Sequence, residues 1–133
     1  MELEDLEIYN SSLKIGDEIW NIVSEWNYFE KDTVGKQLVR AIDSVSANIS
    51  EGYGRFHYKD SKHFYYFARG SLYESKTWIV KAKNRNLIKS EVYEEIMAEI
   101  NTLAIKLNKF IRSIDSMDSR KYDTNLHEAQ SAE

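Results

Sequence analysis

The chain has 133 residues, of which 42% are hydrophobic and 30% are charged, with no proline, no cysteine and five glycines. A β-sandwich or barrel needs many turns marked by glycine and proline, so this composition predicts a helical domain. The absence of cysteine excludes disulfides, thiolate catalysis and sulfur-rich metal sites, and we expect no cofactor. No apolar signal segment follows the acidic start, and no apolar run is long enough to span a membrane. We therefore expect a cytoplasmic protein with no membrane partner.

The net charge of -4 at neutral pH is unevenly distributed along the chain. Residues 1–33 carry two basic and nine acidic groups, residues 34–89 carry eleven and four, and residues 90–133 carry five and nine. A basic middle segment between acidic flanks is compatible with a binding surface. It is equally compatible with helices whose acidic and basic faces lie side by side within the fold.

Apolar residues at helical spacing predict a first helix from Leu6 to about Trp26. Two adjoining apolar rows on this helix indicate that more than one of its sides is covered, which suggests an oligomer. The alternative is one broad apolar stripe in which Ile8 and Trp26 are partly exposed. The two rows are Leu6, Tyr9, Leu13, Trp20 and Val23, and Ile8, Ile15, Ile19, Ile22 and Trp26.

A second helix is predicted from a cap at Asp32 or Thr33 to about Glu51. Gly52 and Gly54 follow that end, where a glycine can adopt the left-handed conformation that closes a helix. Because a helix C-terminus repels anions, we interpret these glycines as a turn and not as a phosphate-binding loop.

A third helix is predicted from a cap at Asp60 or Ser61 to about Arg85, with a stop at Asn86 and a cap for the next helix at Ser90. The fourth helix carries the clearest repeat, with apolar steps of three and four that suit packing between helices. Its seam consists of Tyr93, Ile96, Ile100, Leu103, Leu107, Phe110 and Ile114.

The short connections between these helices predict an all-α protein, an antiparallel, up-down-up-down four-helix bundle over residues 1–114. Residues 115–133 are polar and lack periodicity, so we expect a disordered C-terminal tail.

No catalytic or metal-binding pattern stands out. None of the three histidines, His57, His63 and His127, follows a glutamate by three positions, so the Glu-x-x-His pair of di-iron bundles is missing. There is also no His-Glu-x-x-His, no nucleophile elbow and no Walker loop. We therefore expect no metal, no catalytic residues and no enzymatic activity.

Polar residues lie close to the apolar stripe of the second helix and need partners. We expect Arg40, Asn48 and Glu51 to form a structural network with Glu74 of the third helix. The alternative is a polar ligand or nucleic-acid site at the end of the bundle, to which Arg55, Lys59 and Lys62 would add charge.

The stretch from Leu38 to Arg55, followed by Phe64 to Glu74, resembles the S23 family, the proteins encoded in intervening sequences of bacterial 23S ribosomal RNA genes. Ser46 stands where family members usually carry proline, which predicts a straighter second helix. The resemblance covers about residues 6–114 and rests on Arg40-Ala41, Ala47-Asn48-Ile49, Glu51-Gly52, Arg55, Ala68, Gly70-Ser71 and Glu74.

The resemblance implies a four-helix bundle that assembles into a homopentameric ring. The chain is also similar to the accessory variability determinant proteins of diversity-generating retroelements, which bind nucleic acid and a reverse transcriptase. Those proteins are strongly basic, whereas this chain is acidic overall.

Two functions follow as hypotheses. The first is a homo-oligomeric module that binds RNA or DNA through the basic 34–89 segment, with Tyr53, Phe56 and Tyr58 available for stacking. The second is a protein–protein adaptor or self-assembling scaffold without nucleic-acid binding, in which acids of the first helix meet bases of the third across subunits. The candidate phosphate contacts of the first hypothesis are Lys36, Arg55, Lys59, Lys62, Lys81, Lys83 and Arg85.

Overall fold

The computed structural model describes residues 1–55 and 58–132, with side chains described for residues 1–55 and 59–117. Within these residues the protein is helical and contains no strand. The four main helices are α1 (Glu7–Ser24), α2 (Lys36–Tyr53), α3 (Tyr58–Asn84) and α4 (Ser90–Ala132). The four predicted helices are thus confirmed, with a short 3-10 turn (Leu3–Asp5) before α1.

The helical path into α2 begins earlier than predicted. A helical turn (Tyr28–Glu30) and a π-helical turn (Lys31–Gly35) run directly into α2. The predicted cap at Asp32 or Thr33 is wrong, because Asn27 is the cap: its side chain accepts a hydrogen bond from the Glu30 amide, 2.9 Å away. The Glu30 carboxylate in turn accepts one from the Asn27 amide at 3.2 Å, completing a capping box.

The end of α2 also differs from the prediction. Gly52 lies inside the helix. Gly54, the first residue after the helix, has a φ of -75°, which is a right-handed conformation. The left-handed conformation expected there is therefore absent. Gly52 is required for space, because a Cβ on it would lie 2.9 Å from the Tyr65 ring. The helix continues through Ser46, whose hydroxyl donates to the Asp43 carbonyl at 3.2 Å.

The predicted stop at Asn86 is confirmed. Asn86 has a φ of 61°, a left-handed conformation that asparagine tolerates better than most residues. The Leu87 amide donates to the Ala82 carbonyl at 2.8 Å, and the Asn86 amide donates to the Lys83 carbonyl at 3.0 Å. These two bonds form a Schellman motif that ends α3 before the short link to α4.

One continuous apolar core lies between the helices, and the side chains at its centre are fully buried. α2 packs on α1 and on α3, and α4 packs on α3 and on α1, so α1 and α3 occupy opposite corners of the bundle. The largest buried side chains include Ile19, Leu38, Ile42, Leu72, Ile79, Ile100, Leu103 and Leu107. Each contributes about 1.5–3 kcal/mol by leaving water.

The exposed apolar positions of α1 differ from those of the broad-stripe alternative. Ile8 and Trp26 are buried in the core, so the alternative of one broad stripe in which they are partly exposed is wrong. Leu13 and Trp20 are exposed instead, Trp20 to 60%. Trp26 is buried because it packs beside Gly35, where its ring would lie 3.4 Å from an added Cβ.

α4 continues beyond Ile114, which is the last buried residue among the described side chains. Its backbone is helical to Ala132. From residue 118 onward the side chains lie outside the described part of the chain. The division into a bundle over 1–114 and a disordered tail over 115–133 therefore stays a prediction.

Candidate functional site

The seven candidate phosphate contacts lie at two separate ends of α3. Lys81, Lys83 and Arg85 lie in the last turns of α3, and Lys36 begins α2 at the same end of the bundle, because the π-helical turn before it packs against α3. We call these four residues the α3 C-terminal cluster, although Lys81 and Lys83, two residues apart, lie on different sides of the helix. The α3 N-terminal cluster consists of Arg55, Lys59 and Lys62. From Lys62 to Lys81 the helix rises about 28 Å at 1.5 Å per residue. The basic 34–89 segment is continuous in sequence but does not form one continuous surface.

The cations of the α3 C-terminal cluster have no carboxylate partner within the described residues. Lys36 and Arg85 are exposed. Lys81 lies over the Trp78 ring, with its Nζ 4.4 Å from the ring centroid, and Lys83 lies 4.2 Å from the centroid of Tyr93. Stacking on an aromatic ring orients an ammonium group without neutralising its charge.

The cations of the α3 N-terminal cluster are largely engaged within the protein. Arg55 donates to the Glu51 carboxylate at 2.6 Å and also lies 4.7 Å from the centroid of the Phe64 ring. Lys62 forms an ion pair with Asp115 at 3.2 Å. Lys59 is exposed. Two of these three charges are therefore already balanced by acids of the same chain.

The residues considered for base stacking are less informative. Tyr53 is half-buried, and its hydroxyl donates to the Met1 carbonyl, which ties the N-terminus to the end of α2. Phe56 and the side chain of Tyr58 lie outside the described part of the chain.

The proposed polar network is divided into three parts. Arg40 pairs with the Glu74 carboxylate, which also accepts a hydrogen bond from the Trp78 indole at 3.0 Å. Asn48 donates instead to the backbone and side-chain oxygens of Ser44, at 2.8 and 2.9 Å. Glu51 pairs with Arg55, as described above. The structure therefore brings together Arg40 and Glu74, but neither Asn48 nor Glu51 joins them.

The sequence reasoning missed a groove between α1 and the start of α2. It has a volume of about 470 Å³. Its walls are Trp20, Val23, Ser24, Lys31, Gly35, Lys36, Val39 and Arg40, which include three cations and no acid. The available signal was Trp20 itself. It is a large aromatic residue in one of two apolar rows on α1, whereas a single row is enough to face the core.

A carboxylate pair joins α1 to α4. Burial, followed by a hydrogen bond and charge repulsion from Glu99, raises the pKa of Glu18. Lys14 opposes this effect, since its Nζ lies 3.6 Å from an oxygen of each acid. One Glu99 oxygen is buried and has no hydrogen-bond partner in the described structure. Among the described residues, no group of three or more histidine, cysteine or acidic side chains is placed to hold a metal ion.

Comparison with known families decides the identity. Residues 4–109 match the family model described as 23S rRNA-intervening sequence protein. The chain belongs to this family. The match covers most of the bundle and agrees with the resemblance carried by the α2 and α3 motifs. No curated protein matches this 23S rRNA-intervening sequence protein.

A solved structure of another protein supports the helical fold of this chain. It is the crystal structure of a protein of unknown function from the S23 ribosomal protein family of Bacteroides thetaiotaomicron. The two chains superpose with a TM-score of 0.71 at 22% identity, over 78% of this chain and 97% of the other. Within its described residues, this 23S rRNA-intervening sequence protein has no helix that is long and apolar enough to cross a membrane.

Proposed function

We propose that this 23S rRNA-intervening sequence protein is a non-enzymatic, homo-oligomeric accessory module that binds RNA or DNA. The observation that carries the proposal is the α3 C-terminal cluster, in which four cations of the predicted set lie at one end of the bundle without acidic partners among the described residues. Unpaired cations of this kind contact phosphates and release counterions.

The proposed subunit is an antiparallel, up-down-up-down bundle. Support comes from contacts in which residues later in one helix meet residues earlier in the next. Gly35 lies beside Val23 while Gly16 lies beside Asp43, and Ser71 contacts Ser44 while Glu74 contacts Arg40. The proposed assembly of these subunits is a homopentameric ring, as in the proteins that the chain resembles.

The test is size-exclusion chromatography with light scattering, with and without structured RNA or duplex DNA, at low and physiological salt. If four phosphates are neutralised, the affinity falls about 100-fold between 50 and 200 mM salt. Lys36→Glu should weaken binding and reduce the salt dependence by about one phosphate contact. The matched control is Lys59→Glu, the same charge change at an exposed position of the other cluster, which should have little effect.

Equal losses in Lys36→Glu and Lys59→Glu would contradict the assignment to the α3 C-terminal cluster. No binding to any nucleic acid at low salt would contradict the module itself. The second candidate function, a protein–protein adaptor or self-assembling scaffold, would then be preferred. It is favoured by a specific observation, the exposed aromatic side chains on α1 and α3, among them Trp20, Phe67 and Tyr73.

A further inference from the structure

The outer face of α3 carries a row of uncharged residues that the described bundle leaves exposed, although the Tyr66 hydroxyl donates to the Asp115 carboxylate of α4 at 3.3 Å. Tyr66, Gly70, Tyr73, Thr77 and Val80 are all exposed, and they follow one another at steps of four and three residues. This is the spacing of a seam between two helices. None of the five is charged, whereas the opposite face of α3 is buried in the core. α3 therefore has a second, uncharged face that the bundle leaves exposed.

Gly70 stands at the second position of this seam, in the interior of α3. A Cβ added to it would meet no atom within 4 Å, so no contact within the described structure requires a glycine there. A glycine in the middle of an exposed helix lowers helix stability, and it usually has a packing reason. The missing side chain leaves a flat place on the helix where a large side chain of another molecule fits.

The outer face of α1 carries the complementary features. Trp20 is 60% exposed and Leu13 is 40% exposed, and Asp17 lies between them on the same face. Asp17 has no cation partner within the described residues. Burial, followed by the negative charge of Asp17, raises the pKa of Asp43. This part of the surface therefore holds uncompensated negative charge.

The charge of the α3 seam is opposite. Arg69 and Lys76 flank it, and neither has a carboxylate partner in the described structure. Arg69 donates to the Asn108 side chain at 3.2 Å and lies over the Tyr66 ring, and Lys76 lies 5.8 Å from the centroid of Tyr73. Opposite charges beside two exposed faces are the complementarity expected of a specific contact.

The two faces also lie at the same height in the bundle. Gly16, next to Asp17, approaches Asp43, since a Cβ on it would lie 3.0 Å from a carboxylate oxygen. Ser44, next to Asp43, contacts Ser71 across α2 and α3 at 3.0 Å. Asp17 and Gly70 are therefore level with each other on opposite corners of the bundle.

We propose that the α1 face of one copy (Leu13, Asp17 and Trp20) docks on the α3 seam of a second copy, with Asp17 level with Gly70 and facing Arg69, and with Trp20 packing on Tyr73 beside Gly70. This inference rests on the proposed homo-oligomer and identifies its contact. Because the two faces are different and lie on opposite sides, each copy uses one face on each neighbour. Such a head-to-tail contact closes into a ring or extends into an open array.

Two variants inactivate one face each. Trp20→Lys places a cation against Lys76, and Gly70→Glu fills the flat place and puts an acid opposite Asp17. Both positions are exposed, so the helical circular dichroism of each variant should match that of the wild type. Light scattering of each variant alone should give a monomer. Phe29→Lys is the control, since Phe29 is exposed outside both faces.

An equimolar mixture of Trp20→Lys and Gly70→Glu is the decisive sample. Each variant keeps the face that the other has lost, so the mixture should give a dimer with one productive contact and no larger species. Asp17→Lys combined with Arg69→Glu in one chain should restore an assembly that either change weakens at least tenfold.

The outcomes separate the two proposals. A monomeric wild type at 100 µM would overturn the homo-oligomer of the proposed function and this contact with it. A wild-type oligomer that survives both variants would overturn the contact alone. Monomeric variants whose mixture stays monomeric would also overturn the head-to-tail contact. If a face variant fails to fold, Trp20→Ala and Gly70→Ala, which introduce no charge, provide the same comparison by their dissociation constants.

Discussion

Replacing Gly52 by alanine adds one methyl group at a site with no room for it. That Cβ would lie 2.9 Å from the Tyr65 ring and 3.1 Å from the Ser61 carbonyl oxygen. The ring is 3% exposed and packs edge-to-face on Phe110, with ring centroids 4.9 Å apart. Neither the buried ring nor a backbone carbonyl moves easily, so either α2 and α3 separate or the ring shifts.

Overpacking of this kind costs about 1–3 kcal/mol. Alanine regains about 0.5–1 kcal/mol relative to glycine in a helix. We place the overpacking cost near its upper end because backbone is involved, and expect Gly52→Ala to lower the free energy of unfolding by about 1–2 kcal/mol. For a chain of this size the melting temperature should fall by about 3–7 °C.

Gly54→Ala is the matched control, two residues away. Gly54 has a right-handed φ, and its added Cβ would meet the Ser50 carbonyl oxygen at 3.5 Å, an ordinary contact. Alanine should therefore be neutral or stabilising there by about 0.4–1 kcal/mol. The measurement is thermal and urea unfolding followed by circular dichroism at one protein concentration. A Gly52→Ala protein as stable as Gly54→Ala would refute the reasoning.

Three further predictions concern the helix ends and the carboxylate pair. Asn27→Ala removes the capping box with Glu30 and should cost about 1 kcal/mol in urea unfolding; no loss would argue against the cap. Asn86→Ala puts a less tolerant residue at φ 61° and should cost about 1 kcal/mol, whereas Asn86→Gly should not. Glu18 has a raised pKa in the fold, so its stabilising contribution is present at acid pH and is lost as the pH rises through that pKa. Glu18→Gln mimics the protonated acid and should have a larger free energy of unfolding than the wild type at pH 7. The two proteins should become equally stable at acid pH, and a difference that persists there would contradict a role for Glu18 and Glu99.

The number and approximate bounds of the helices could be predicted from the sequence because apolar spacing reports directly on which side faces a core. Asn86 was also predictable, since asparagine and glycine are the usual residues in a left-handed helix end. The entry to α2 was not, because Tyr28 and Phe29 interrupt a polar stretch that resembles a loop. Their side chains are exposed, and only the reciprocal bonds of Asn27 and Glu30 reveal the helix start.

The arrangement of the candidate site was less predictable than the fold. Charge counts along the chain grouped Lys36 with Lys59, although the fold places them in different clusters at opposite ends of α3. Pairing between Arg55 and Glu51 follows their spacing of four residues, but the partner of Lys62, Asp115, lies in another helix. Helical periodicity identifies the faces that are apolar, and it does not identify which face remains uncovered, as on α3.

The contact between α1 and α4 has a dynamic consequence. Lys106 pairs with Glu7 and Lys14 with Glu99, and a groove of about 250 Å³ lies between the two helices. Surface ion pairs contribute little to stability and weaken with salt. We therefore expect the amide protons of α1 to exchange with deuterium before those of α2 and α3, and to do so faster at high salt. The buried side chains Ile15 and Ile19 hold α1 to α2 and are insensitive to salt, so the salt effect should be confined to the side of α1 that faces α4.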